Sequence, residues 1–510
     1  MVRKAAYQFG WDWGPRLVTA GIYKKVYLHC WDQLKIAHIQ YQQLQIDTAM
    51  ARLNAKVCIN SLVEQEISYQ IIDSATKQVY ASSKLKVMKG QHFFTIPFSI
   101  NKPKLWWCNG LGAPNLLNLT FNLQHKNIKI SENIRIGLRK IELIQQADQK
   151  GKSFYFKLNG LPVFMKGANY IPQDNFIPRV SSAQTKNLIQ QAKAANFNML
   201  RVWGGGIYES DAFYNACDES GILVWQDFMF ACGLVPGDTA FANNVKQEIA
   251  DQLIRLRNHP CIALWCGNNE VAEGWSNWGW QKQYQMNTAD SIRIWSDYQK
   301  IFHQIIPSVI DSLSDGIAYW PSSPQFGWGR KESLQFGDIH YWGVWWGEEP
   351  FEKYQQKVGR FVSEYGFQSF PSKSTLEKFT NLNDRKLNSS TLQAHQKHPK
   401  GFQIIDQQMG LYYQKPSEFD TYTYTSQVLQ AEGLKMAIEA HRSAMPYCMG
   451  TLYWQFNDCW PVVSWSSSDY YQEKKAAYYF VKKSFATNML AFKKQNDSLQ
   501  LYVVSDSLQA

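Results

Sequence analysis

Residues Ile262-Ala263-Leu264-Trp265-Cys266-Gly267-Asn268-Asn269-Glu270 decide how this chain is read. The first five are uniformly apolar and stop at a glycine, a run too short for a buried helix, so they describe a strand covered on both faces. Such strands belong to parallel sheets packed between helices. The polar Asn268, Asn269 and Glu270 then fall at the strand's C-terminal end, where an α/β barrel presents its active site. Working outward, the same kind of run recurs as Val163-Phe164-Met165-Lys166-Gly167, Met199-Leu200-Arg201-Val202-Trp203, Leu223-Val224-Trp225-Gln226, Ala318-Tyr319-Trp320, Asp338-Ile339-His340-Tyr341, Phe361-Val362-Ser363-Glu364 and Thr451-Leu452-Tyr453-Trp454. Segments with helical spacing lie between several of them, for example 183–195 with Leu188, Ile189, Ala192 and Ala195, and 245–257 with Ile249, Leu253 and Leu256. Eight strand-helix units predict a (β/α)8 TIM barrel over residues 146–483. A doubly wound sheet is the poorer fit, because no Gly-x-Gly-x-x-Gly follows the first strand and Gly204-Gly205-Gly206 lacks that spacing.

Upstream the rhythm is different. Leu34-Lys35-Ile36-Ala37-His38-Ile39, Ala55-Lys56-Val57-Cys58-Ile59, Phe93-Phe94-Thr95-Ile96 and Leu116-Leu117-Asn118-Leu119-Thr120-Phe121 alternate with period two between turn residues. That pattern predicts an antiparallel, immunoglobulin-like β-sandwich over residues 31–145. Residues 1–30 hold Phe9-Gly10-Trp11-Asp12-Trp13-Gly14-Pro15 and a strand-like Ile22-Tyr23-Lys24-Lys25-Val26-Tyr27-Leu28, too little for a core. Residues 484–510, with Leu499-Gln500-Leu501-Tyr502-Val503-Val504, look like the opening strands of a further β-sandwich.

Composition narrows the classes. The 510 residues are 45% hydrophobic and 19% charged, which excludes a disordered chain. The apolar stretch 221–235 is interrupted by Gln226 and Asp227, so no membrane span is expected. Met1-Val2-Arg3-Lys4-Ala5-Ala6-Tyr7-Gln8 has no apolar core or cleavage site; no signal peptide is read there, the expectation is a soluble protein, and the compartment is left unknown. With 53 basic and 42 acidic residues the net charge is +11, but the bases are scattered, so no nucleic-acid partner is expected. Nine cysteines without Cys-x-x-Cys or finger spacing predict neither a disulfide framework nor structural zinc. Oligomeric state is not legible.

The fourth and seventh strands deliver Glu270 and Glu364 to one end of the barrel. A pair of carboxyl groups is what glycoside hydrolysis needs: one protonated to assist the leaving oxygen, the other ionised to attack or to activate water. Asn269 places an amide where it can bond a sugar hydroxyl. Arg201, ending the second strand, is positioned to keep Glu364 ionised, and Tyr341 to donate to the same carboxylate. Trp203, Trp278, Trp320, Trp328, Trp342, Trp346 and Trp454 fall at or just after strand ends, where indole faces can stack on a pyranose ring.

From Gln8 to about Tyr479 the chain resembles the β-mannosidases of glycoside hydrolase family two. The resemblance rests on Phe9-Gly10-Trp11-Asp12-Trp13-Gly14-Pro15, Lys166-Gly167-Ala168-Asn169-Tyr170-Ile171-Pro172, Arg201-Val202-Trp203-Gly204-Gly205-Gly206, Trp265-Cys266-Gly267-Asn268-Asn269-Glu270, Ser363-Glu364-Tyr365-Gly366 and Tyr453-Trp454-Gln455-Phe456-Asn457-Asp458. It implies an exo-acting, retaining enzyme that removes terminal β-D-mannose from manno-oligosaccharides or glycans. Glu270 would be the acid/base and Glu364 the nucleophile. Asn269, Trp203, Trp278 and Trp454 would line the terminal-sugar subsite, supported by Arg201 and Tyr341, with Trp11 and Asp12 reaching in from the preceding segment. Neither metal nor organic cofactor is implied, and the partner is a β-mannoside oligosaccharide. The resemblance also implies that residues 1–30 are the last strands of a jelly-roll sugar-binding-type domain, a shortened start that would leave the Trp11-Asp12 loop unanchored. The alternatives are a non-catalytic carbohydrate-binding remnant and a β-galactosidase or β-glucuronidase of the same family.

Overall fold

The computed structural model describes residues 3–314, 316–495 and 498–506. Met1 and Val2 of the expected opening segment, and residues 496–497 and 507–510 of the expected last one, lie outside the described residues.

All eight expected runs form parallel strands: Met165–Tyr170, Met199–Val202, Leu223–Asp227, Ile262–Cys266, Tyr319–Trp320, Ile339–His340, Val362–Glu364 and Gly450–Tyr453. Numbered along the chain, they lie side by side in the order five, four, three, two, one, eight, seven, six, as a (β/α)8 barrel requires. Strands five and six share no ladder. Side chains close that seam instead: Trp320 Nε1 donates to Asp338 Oδ1 at 2.8 Å and Ser323 Oγ donates to Asp338 Oδ2 at 2.6 Å. The outer helices start where the sequence supplies caps. Ser181 and Gln184 form a reciprocal capping box ahead of Ser182–Ala194, and Asp238 accepts from the Phe241 N–H ahead of Thr239–Leu256.

The sandwich packs the antiparallel sheet Leu34–Ile46, Met50–Ser61, Gly90–Asn101 against a second one ordered Val79–Val87, Gln65–Asp73, Leu117–His125, Ile128–Ile136. Ile67, Tyr69 and Ile71 of one strand point inward while their neighbours face water, and they meet Leu119, Phe121 and Leu123 in a separate core. Between sandwich and barrel, a short antiparallel sheet of Ile141–Ile144, Tyr155–Leu158 and Leu161–Val163 plugs the N-terminal mouth of the barrel. Phe154 rests there on Trp320 and Phe361, with ring centroids at 5.0 and 5.5 Å. Trp320 therefore belongs to the barrel interior, not to the rim where the sequence reading put it.

The opening segment corrects a second expectation. Residues 22–28 form no strand among the described residues: Ile22, Val26 and Leu28 are 86%, 79% and 91% exposed, because alternation alone makes no strand without a neighbour to pair with. The Trp11-Asp12 loop is nevertheless anchored. Trp13 is fully buried, its carbonyl accepts from Trp460 Nε1 at 2.8 Å, and Trp11 and Gly14 exchange backbone hydrogen bonds across the turn. Tyr7 adds a backbone bond to the Gly205 carbonyl and a hydroxyl bond to the Asp174 carbonyl, both 3.0 Å. At the other end, Asn488–Gln495 and Ser498–Ser505 form an antiparallel hairpin that includes the expected 499–504 strand. No helix among the described residues is long and apolar enough to cross a membrane.

Candidate active site

Arg201 organises the C-terminal end of the barrel. Its guanidinium is wholly buried and reaches four side chains: Nη1 donates to Glu364 Oε1 and to Asn169 Oδ1 at 2.9 Å, Nη2 to Asp227 Oδ2 at 2.9 Å and to Asn269 Oδ1 at 2.7 Å. Each partner comes from a different strand end, so this one cation fixes the relative positions of strands one, two, three, four and seven. Asn169 is itself aimed by its amide, which donates to the carbonyls of Ser363, Leu452 and Tyr453. Asp227 balances the cation, also accepting from the Gly204 N–H and Trp225 Nε1, both at 3.0 Å. This aspartate was missed in the sequence; the available signal was a carboxylate closing an apolar strand, the same signal that exposed Glu364.

Glu270 sits just beyond strand four in the left-handed region, at φ 59°, a conformation that costs a non-glycine residue about 1–2 kcal/mol. Backbone bonds hold it there: its N–H donates to the Ser323 carbonyl at 2.8 Å, and Asn269 N–H to the Phe230 carbonyl at 2.9 Å. The strand exit is tight as well, since a Cβ on Gly267 would stand 2.2 Å from the Pro321 carbonyl oxygen. Glu270 Oε2 faces Cys232 Sγ and Asn269 Nδ2, each at 3.4 Å, and Oε1 lies 2.8 Å from His340 Nδ1. The same imidazole nitrogen is 3.4 Å from Glu364 Oε2, and one oxygen from each glutamate lies within 4.8 Å of the other.

Burial pushes both carboxyls up to about 7. Their partners differ. Glu364 touches the Arg201 guanidinium, which favours its ionised form, whereas Glu270 meets only a thiol, an amide and an imidazole. Direct contact with Arg201 thus favours Glu364 as the ionised member of the pair. Asp12 is also raised to about 7, by burial first and then by the charges of Glu270 and Glu364. His340 is lowered to about 4 by burial, so it is neutral at pH 7.

Glu270 and His340, with Trp11, Asp12, Cys232, Trp278, Trp328, Trp342 and Trp346, line a cavity of about 490 Å³. Trp278, Trp328 and Trp346 are 38–52% exposed, as stacking platforms must be before a ligand covers them. Trp203 and Trp454 lie deeper, buried edge-to-face at 5.4 Å, with Trp11 at 4.8 Å from Trp203 and Trp13 at 5.6 Å. Tyr341 departs from expectation. Its hydroxyl donates to Glu349, not to Glu364, because successive residues of a strand face opposite sides and His340 takes the inward position. Only the Tyr341 backbone N–H reaches Glu364, at its carbonyl, 2.7 Å away. His340 is thus a second residue, beside Asp227, that the sequence reading overlooked. A second close group, Asp218, His259 and Cys261, is satisfied by hydrogen bonds: His259 Nδ1 to Asp218 Oδ2 at 2.6 Å and the Cys261 N–H to Asp218 Oδ1 at 3.0 Å.

Known proteins show the same arrangement of chain. Residues 34–139 match the glycosyl hydrolases family 2 domain, and residues 1–24 the glycosyl hydrolase 2 galactose-binding domain-like family. Beta-mannosidase B of Aspergillus flavus is 36% identical over 499 residues, and that of Thermothelomyces thermophilus 35% over 508, covering 94% and 95% of this chain. The chain spans 58% of the length of both relatives. The crystal structure of a beta-D-mannosidase from Dictyoglomus thermophilum superposes with a TM-score of 0.92 at 39% identity, covering 99% of this chain and 61% of the other. Residues 1–24 and 34–139 thus match two domain models of glycosyl hydrolase family 2, and along nearly its whole length the chain is similar, above 30% identity, to beta-mannosidases.

Proposed function

We propose that the chain carries the catalytic site of an exo-acting, retaining β-mannosidase, cleaving terminal non-reducing β-D-mannose from manno-oligosaccharides or glycans. The observation that carries this assignment is the short carboxyl separation: an oxygen of Glu270 lies within 4.8 Å of one on Glu364. Retaining glycosidases hold their carboxyl groups about 5–5.5 Å apart, whereas inverting ones need about 6.5–9.5 Å to admit a water. In the first step Glu364 attacks the anomeric carbon, the glycosidic C–O bond breaks, and the Glu270 proton passes to the leaving oxygen. In the second, Glu270 takes a proton from water as its oxygen attacks the same carbon, and mannose leaves with its original configuration. Trp11 and Asp12 close one side of the cavity, which suits removal of one terminal sugar. Mannose as that sugar is favoured by the beta-mannosidase names of the relatives and of the matching crystal structure.

Rates on aryl β-mannoside, β-galactoside and β-glucuronide, measured side by side, test this reading. The mannoside should be cleaved fastest, with Glu364→Ala losing more than about 10³-fold and Glu270→Ala about 10²–10⁴-fold. Dominant galactoside or glucuronide cleavage, or rates unchanged in both variants, would reject it.

A further inference from the structure

Two carboxylates suffice for the reaction just described, yet His340 stands against both of them, only 1% exposed. Its hydrogen bonds continue away from the cavity. Nε2 lies 3.0 Å from Ser323 Oγ, which is 2.6 Å from Asp338 Oδ2. Asp338 acts only as an acceptor: Trp320 Nε1 and the Gln325 N–H reach Oδ1 at 2.8 and 3.2 Å, and the Ser323 and Ser363 hydroxyls reach Oδ2, both at 2.6 Å.

Counting protons along this series of side chains fixes the imidazole tautomer. A serine hydroxyl has one proton, and Ser323 spends it on Asp338. Its oxygen therefore meets His340 as an acceptor, so Nε2 carries the ring proton. Because burial keeps the ring neutral, Nδ1 offers only a lone pair. Nδ1 nonetheless lies 2.8 Å from Glu270 Oε1, a contact that two lone pairs cannot make. The proton in that contact belongs to Glu270.

We infer that Asp338, Ser323 and His340 form a positioning relay that fixes the His340 tautomer and so keeps Glu270 in its protonated, acid form between turnovers. The inference rests on the acid/base role proposed for Glu270. After Glu270 has given its proton to the leaving oxygen, its carboxylate faces the Nδ1 lone pair, and this repulsion favours recovery of a proton from the attacking water. No proton is passed to His340 in either step. The charged and titratable groups around the ring are consistent with this balance: Glu270 from strand four, Glu364 from strand seven, Arg201 from strand two, Asp227 from strand three and Asp338 on its own strand. Glu364, Asp338 and Asp227 favour a charged ring, Arg201 opposes it, and burial outweighs the three carboxylates and keeps the imidazole neutral.

Two measurements on the full chain decide it. In Ser323→Ala the ring is free to adopt the Nδ1–H tautomer and donate to an ionised Glu270. The alkaline limb of kcat/KM against pH, which reports loss of the Glu270 proton, should then move down by about one pH unit. A limb that stays in place overturns the relay, whatever the change in rate, because a merely structural serine lowers the rate without moving the limb. Independently of turnover, long-range ¹⁵N correlation spectra of histidine-labelled protein at pH 7 should show one ring with protonated Nε2 and bare Nδ1 that disappears in His340→Gln and changes pattern in Ser323→Ala. A His340 signal with protonated Nδ1 overturns the inference. If the unsubstituted chain hydrolyses no β-mannoside, the proposed function fails while the spectra still judge the relay.

Discussion

At the scale of single residues, the site depends on how buried charge is shared. Arg201 touches Glu364, Asp227, Asn169 and Asn269 at once, so removing it strands two buried carboxylates. Arg201→Met is expected to destabilise the fold by about 3–5 kcal/mol in chemical denaturation. It should also move the acid limb of kcat/KM upward, because Glu364 loses the cation that favours its ionised form. Glu270 makes the opposite contribution to stability. Its carboxyl is raised from 4.5 to about 7 on folding, so the folded state binds the proton more tightly and the stabilisation is full below about pH 4.5 and lost as pH rises through 7. Glu270→Gln removes that loss, so the variant should be more stable than the parent at pH 8, by about 1–3 kcal/mol, and gain nothing at pH 4. Thermal or urea unfolding at the two pH values reads both.

At the scale of elements, a loop with no regular structure completes a site made by strands. The turn at Trp11-Asp12 is held by the buried Trp13, which packs on Trp203 and Trp454 and bonds Trp460. Trp13→Ala should cost about 3–5 kcal/mol of stability and raise KM far more than it lowers kcat, because Glu270 and Glu364 keep their own supports. Much of this arrangement was legible. The eight barrel strands could be read because each is a short run built around apolar residues, broken at most by a few polar ones such as Arg201 and His340, and even the two-residue ladders at Tyr319–Trp320 and Ile339–His340 sit inside such runs. Glu270 and Glu364 could be read because they end strands. What could not be read depends on neighbours in space. Residues 22–28 have the alternation of a strand but no strand beside them; Trp320 looks like a rim residue until Phe154 covers it; and Tyr341 and His340 differ by one position, which decides which of them faces the carboxylates.

At the scale of the whole molecule, sandwich and barrel share contacts that make them one cooperative body. Arg139 donates to the carbonyls of Pro260 and Ile262 at 2.9 and 2.6 Å, at the foot of the strand that ends in Glu270, and Asn258 bonds Ile39 and Tyr41 of the sandwich. Trp106, fully buried, donates to the Asp218 carbonyl at 2.9 Å and packs with the interior residues of the barrel. Fluorescence and far-UV circular dichroism should therefore report one coincident unfolding transition, and Trp106→Ala should lower it by about 3–5 kcal/mol without splitting it. The tryptophans accordingly take different roles. Trp106 and Trp320 fill the structure, Trp13, Trp203 and Trp454 support the loop, and Trp278, Trp328, Trp342 and Trp346 face the cavity. Everything at the site converges on the short distance between Glu270 and Glu364. Its most direct test is proton NMR of the anomeric signal during hydrolysis of an aryl β-mannoside by the unsubstituted chain. The β anomer of mannose should appear first and the α anomer only later by mutarotation, whereas α-mannose as the first product would contradict a covalent intermediate on Glu364.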